Sequence, residues 1–164
     1  MKGLVTRHSS HVTGRRPTAF TLVELLVVIA IIVVLAGLGF AGMQGAINSG
    51  KKAQARNDVH QAASAVKAYL LEYGRLPEQE DIWKTLTGEN SKKIVFLEAK
   101  AAKGDKGGYN SGTGQLLDPW GKEYQVQLDD DYNNKVDFNG AEHLTTVVVY
   151  SQGDGKSGVI SNVQ

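Results

Sequence analysis

The chain has 164 residues, no cysteine and a formal net charge of +1 at pH 7. That length accommodates one modest core plus an additional element. The lack of cysteine excludes disulfides and thiolate metal sites, including a disulfide-closed C-terminal loop.

The first segment is basic. Lys2, Arg7, Arg15 and Arg16 precede any Asp or Glu, and the first carboxylate is Glu24. An apolar run from Phe20 to Phe40 follows, and at about 1.5 Å per residue a helix of that length matches a hydrocarbon core. The basic flank is expected to stay cytoplasmic and to send the C-terminal side across the membrane. A secretory signal would need a shorter apolar core, of about 7–15 residues, before a small-residue cleavage site. A plain single-pass anchor fits the hydropathy but gives no reason for Glu24, because an unpaired carboxylate at membrane depth costs a few kcal/mol (~3). Glu24 is therefore read as a residue kept for a partner.

The order Phe20-Thr21-Leu22-Val23-Glu24-Leu25 resembles the start of the mature type IV pilin superfamily. The resemblance implies a leader, residues 1–19, cut by a prepilin peptidase between Ala19 and Phe20, with N-methylation of the new Phe20 amine. The family usually has Gly before the cut; this chain has Ala19, also small. It also implies a fold class, α+β and type IV pilin-like. In that fold one long helix, with a membrane half (20–40) and an amphipathic half (41–73), packs on a small antiparallel sheet in residues 74–164. Removing the leader deletes four of 18 basic residues and none of the 17 acidic ones. The mature chain is then mildly acidic, and no nucleic-acid partner is expected.

Between Ala41 and Tyr73, Val59, Ala62, Ala63, Val66, Tyr69, Leu70 and Tyr73 recur at spacings of three and four and line one helix face. Lys51, Lys52, Arg56, Asp58, Lys67 and Glu72 fall mostly elsewhere. Gly74 is placed to cap the helix and Pro77 to stop it. Gly37, Gly39, Gly42, Gly45 and Gly50 crowd the joint between the halves. They provide either a close-packing strip or a segment that can melt during assembly.

Beyond the helix, Asp81–Leu86 predicts a short helix, Ile94–Leu97 a strand or buried turn, and Gly104–Gly114 a flexible loop. Glu123–Leu128 and Thr145–Tyr150 predict strands, the second a central one. The Asp118-Pro119-Trp120-Gly121 order favours a type I turn. The elements Tyr73-Gly74-Arg75-Leu76-Pro77, Leu117-Asp118-Pro119-Trp120-Gly121 and Tyr150-Ser151-Gln152-Gly153-Asp154-Gly155 together resemble the major pseudopilins of type II secretion systems. That resemblance implies a calcium site in the C-terminal loop, for which Ser151 and Asp154, with Asp118, are the matching positions. The acidic pair that usually follows the loop is absent, since residues 157–164 hold no carboxylate. Asp129-Asp130-Asp131 reads as a solvated loop.

No catalytic constellation stands out. His60 and His143 lack metal-ligand spacing, and no nucleophile–base pair is evident. The resemblance implies a structural subunit, not an enzyme. It polymerises with copies of itself and with minor pseudopilins into a pseudopilus that helps folded cargo proteins across the outer membrane. Its other partners are an inner-membrane assembly platform, the prepilin peptidase and membrane lipid. Its place is the inner membrane, single-pass, with a cytoplasmic N-terminus and a periplasmic C-terminal portion, from which assembly extracts it into a periplasmic fibre. The alternatives are a surface type IV pilin serving adhesion, motility or DNA uptake, and a membrane-anchored periplasmic enzyme or binding domain.

Overall fold

A computed structural model describes residues 20–156 and 158–163, with the side chains of residues 38–42 left out. The chain forms two compact units, Met1–Gly42 and Met43–Gln164. Helix α1 runs from Leu22 to Tyr73, 52 residues, and is continuous through the glycine-rich joint. In the first unit its described side chains, from Leu22 to Leu35, are exposed and almost all apolar. Among the described residues no helix is long and apolar enough to cross a membrane. The described apolar stretch stops at Gly37, short of the Phe40 at which the sequence run ends.

In the second unit α1 buries the face its periodicity predicts. Val59, Ala62, Ala63, Val66 and Tyr69 are all buried, joined by Ala55 and Ala65. Each fully buried valine contributes about 1.5 kcal/mol or more. Gly74 ends the helix in the left-handed region, at φ +67°, with its N–H bonded to the Leu70 carbonyl at 2.8 Å. Helix α2 (Ile82–Leu86) closes the core with Ile82, Trp83 and Leu86.

The sheet is antiparallel with β6 (Val147–Ser151) in its centre, between β3 (Gln125–Leu128) and β7 (Ile160–Ser161). Strand β6 is apolar on both faces for a clear reason. Val147 and Val149 join the core made with α1, while Val148 packs into a second cluster with Val136 and Phe138. These last two belong to an outer hairpin, β4 (Val136–Phe138) and β5 (Ala141–His143). The unit is therefore three layers at β6: helix, sheet, hairpin. Asn162 extends the edge beyond β7, where its side-chain oxygen accepts the Val149 N–H at 2.6 Å and its amide donates to the Val147 carbonyl at 3.2 Å.

The α+β class and the long helix on an antiparallel sheet are as expected, and so are α2, β3 and the central place of β6. Two readings change, and one pair of alternatives is decided. Residues 104–114 are not wholly a flexible loop, because β1 (Gly108–Asn110) pairs with β2 (Gln115–Leu117) inside and beyond it. Of the strand and the buried turn expected for Ile94–Leu97, the turn forms: the Phe96 and Leu97 N–H groups both reach the Leu86 carbonyl at 2.9 Å, with Leu97 buried and Val95 exposed. The outer hairpin and β7 were not anticipated, since their strands of two or three residues are too short to show periodicity.

Candidate functional site

Phe20 is exposed at the head of α1; its expected cleavage partner Ala19 lies outside the described residues. The next residues form a reciprocal cap. The Thr21 N–H and hydroxyl both donate to Glu24 Oε2, at 2.8 and 2.7 Å, and the Glu24 N–H donates to Thr21 Oγ1 at 3.2 Å. This is a capping box, threonine followed three residues later by glutamate, and it satisfies donors that a helix start leaves orphaned. The Thr-x-x-Glu spacing is itself a sequence signal for this box, one that the membrane cost of a carboxylate overshadows. Glu24 thus has a local role within its own helix, and its carboxylate remains exposed at the start of an apolar helix.

The second site is built around Asp118, which is fully buried. Its Oδ1 accepts the N–H groups of Trp120 and Lys122 at 2.9 and 2.8 Å, and its Oδ2 accepts the Ser151 hydroxyl at 2.6 Å. Ser151 Oγ in turn accepts the Gly153 N–H at 2.9 Å. The Gly121 N–H closes the turn on the Asp118 carbonyl at 3.0 Å, as the Asp-Pro-x-Gly order predicts. Gly121 sits at φ +97°, and a Cβ there would lie 2.7 Å from the Asp105 carbonyl oxygen, so both conformation and space require glycine. The knot joins the β2–β3 connection to the end of β6.

Asp118 and Ser151, two of the three residues matched to a calcium site, are thus bonded to each other. The hydrogen bonds that their oxygens make brace the turn. Asp154 is exposed and its Oδ1 accepts the Lys156 N–H at 2.9 Å. Among the described residues no three His, Cys, Asp or Glu are placed to share a metal ion. Hard cations of this class take six to eight oxygens, more than the side chains of these three residues supply.

Asp58, which the periodicity places mostly on the polar side, reaches inward and accepts the Tyr124 hydroxyl at 2.9 Å. Desolvation raises its pKa above the ordinary carboxylate value, against the lowering effect of the Tyr124 and Gln54 hydrogen bonds. Desolvation first, then the nearby Asp58 charge, pushes the Tyr124 hydroxyl well above the usual tyrosine range, so it stays the donor. The folded protein therefore holds the Asp58 proton more tightly than the unfolded chain does. The cost of ionising Asp58 is absent below the ordinary carboxylate pKa and complete above the raised one, so its contribution makes stability fall as pH rises through that interval. Asp58→Asn is expected to remove this increment while keeping an acceptor for Tyr124. Urea midpoints measured from about pH 4 to about pH 7 check it: parallel profiles for both proteins would contradict the assignment.

The aspartate run is also more ordered than its reading as a solvated loop implies. Asp129 is buried, and its carboxylate accepts the N–H groups of Asn133 and Asn134 at 3.0 and 2.7 Å. Asp130 and Asp131 are exposed. His60 and His143 remain apart from any ligand set, on α1 and β5 respectively.

A capped apolar helix start on the same chain as a helix-on-sheet unit defines a protein of the N-terminal methylation, pilin-like class. The prokaryotic N-terminal methylation motif matches residues 14–40. The chain belongs to the type II secretion system protein G family, whose domain matches residues 43–158. It is 34% identical over 126 residues to the type II secretion system core protein G of Pectobacterium carotovorum subsp. carotovorum, covering 77% of this chain and 76% of that protein. The core protein G of Klebsiella pneumoniae is 31% identical over 68% of this chain and 75% of its own length. That of Aeromonas hydrophila is 31% identical over 68% and 73%. No solved structure gives a significant match.

Proposed function

We propose that this chain is the major subunit of a type II secretion pseudopilus, a structural polymer that helps move folded proteins across the outer membrane. The observation that carries the reading is the pairing, on one chain, of the methylation motif at residues 14–40 with the protein G domain at residues 43–158. Relatives named as secretion-system core proteins favour this reading over a surface pilus. The leader, residues 1–19, stays cytoplasmic and is cut by a prepilin peptidase. The segment 20–40 holds the subunit in the inner membrane until assembly, and the rest is periplasmic. Other copies of the chain, minor pseudopilins, the assembly platform and cargo are its partners. The proposal assigns no role to calcium; the Asp118 carboxylate and the Ser151 hydroxyl are hydrogen-bonded to each other.

Two measurements test this reading. Intact-mass analysis of the membrane-bound protein is expected to give a product starting at Phe20 and carrying one methyl group. A mature start after Gly37 or Gly39 would indicate ordinary signal peptidase and end the pilin reading. Deleting the gene is expected to remove specific proteins from the culture medium without loss of surface fibres; the reverse pattern would favour the surface pilus.

A further inference from the structure

The second unit carries two patches of opposite charge at different heights along α1. Lys52, Arg56 and His60, four residues apart and so on one face, border a groove of ≈ 420 Å³ whose other wall is the C-terminal strand, including Val159. Val159 is 48% exposed, and neither Lys52 nor Arg56 has an ion-pair partner among the described residues. The groove is therefore cationic at its rim, and its other wall is mixed, with exposed Val159 beside Ser161 and Asn162.

The opposite patch is the loop 129–134 that follows β3, where Asp130 and Asp131 are exposed and Asp129 is buried. At its tip Tyr132 is 54% exposed, flanked by exposed Asp130 and Asp131. This tip is held in place. Its backbone is left-handed at Tyr132 (φ 58°) and Asn134 (φ 60°), the buried Asp129 carboxylate grips the next two N–H groups, and the Tyr132 hydroxyl accepts the Leu76 N–H at 3.2 Å. A pre-positioned aromatic beside two exposed carboxylates, Asp130 and an Asp131 whose Oδ2 accepts the Asn133 side-chain amide at 2.7 Å, has the make-up of an interface anchor.

We infer that the Asp130–Tyr132 tip of one copy of this chain docks into the Lys52/Arg56/His60 groove of another. Tyr132 lies against Val159 and the Arg56 guanidinium, and Asp130 and Asp131 meet Lys52 and Arg56. The inference rests on the polymerisation reading and names the surfaces that make the polymer. The occupant is a second copy because the charges are complementary and the Tyr132 tip, held to Leu76, cannot reach Arg56 of its own chain. Leu76 lies beyond the end of α1, and Arg56 is 17 residues before Tyr73, about 26 Å of helix at 1.5 Å per residue. Contacting copies are therefore displaced along the helix direction by roughly that distance. The contact is head-to-tail, using two different surfaces, and contacts of this kind extend into open fibres when the rotation does not close.

The absence of cysteine makes the test direct. Full-length chains carrying Arg56→Cys and Asp131→Cys are produced together in cells lacking the natural copy, and the fibres are oxidised. Mixed disulfide dimers are expected, and a chain carrying both substitutions is expected to give a ladder. In parallel, Lys52→Glu with Arg56→Glu, and Asp130→Lys with Asp131→Lys, should each abolish fibres, while the two sets combined on one chain should restore them. Cysteine-bearing chains that form fibres yet yield no mixed dimer, together with charge-reversed chains that still form fibres, would overturn the docking and leave the secretion function standing. Failure of the wild-type chain to form fibres would defeat the polymer reading and the docking with it.

Discussion

Glu24→Leu is expected to insert, to be cleaved at Phe20 and yet to build no fibre. Cleavage frees a positive amine at Phe20, and a carboxylate four residues on lies about 6 Å away along the helix axis. The pairing proposed here crosses subunits, with Glu24 meeting the Phe20 amine of a neighbour and so setting axial register. In a low dielectric such a pair is stronger than in water, and it relieves the cost of placing a lone charge among apolar side chains. The capping box supplies a rival account, in which Glu24 matters because it caps α1 with Thr21. Loss of such a cap costs about 1 kcal/mol.

Two further variants separate these accounts. Glu24→Gln keeps an oxygen for the Thr21 donors but removes the charge. Thr21→Ala removes the hydroxyl but leaves the charge free to pair. If the charge drives assembly, Glu24→Gln is markedly impaired and Thr21→Ala forms fibres; if the cap drives it, the order reverses. Crosslinking ladders and secretion at wild-type level in Glu24→Leu would eliminate both.

These two roles of Glu24 illustrate how far the residues can be read without coordinates. The anomaly, one acid in an apolar run, is visible at once because hydropathy is a local property of the sequence. The helix face from Val59 to Tyr69 is equally local, since its 3.6-residue period repeats over several turns. The inward reach of Asp58 is not, because it depends on Tyr124, 66 residues away, presenting a hydroxyl at the right height. The outer hairpin is hidden for the same reason. Val136 and Phe138 alternate around Asp137, a pattern too short to stand out, and it gains meaning only when Val148 offers a second apolar face. At the Asp118 turn the sequence supplied the turn type and the candidate residues. It could not supply their mutual hydrogen bond, which joins residues 33 apart and makes a carboxylate matched to a metal site into a structural brace.

That brace carries the largest stability effect expected in the second unit. Asp118→Ala removes the acceptor of three donors, the N–H groups of Trp120 and Lys122 and the Ser151 hydroxyl, at a fully buried position. A buried donor left unpaired costs about 1–3 kcal/mol, and water entering the vacated space recovers part of that. A net loss of about 3–5 kcal/mol is expected, enough to consume much of the stability of a domain this size and to lower its melting temperature by about 10 °C or more. Ser151→Ala leaves both turn N–H bonds intact and is expected to cost about 1–2 kcal/mol. Asp118→Asn should fall between, because its Oδ1 can still accept both N–H groups while its amide faces the Ser151 hydroxyl in place of an acceptor. The Asp118→Ala and Ser151→Ala effects share one hydrogen bond, so the double variant should be less destabilised than their sum. Urea unfolding of all four proteins checks the ranking. An Asp118→Ala midpoint matching that of Ser151→Ala would mean that the turn N–H groups find other partners, and the Ser151 bond alone would then hold the end of β6 to the turn.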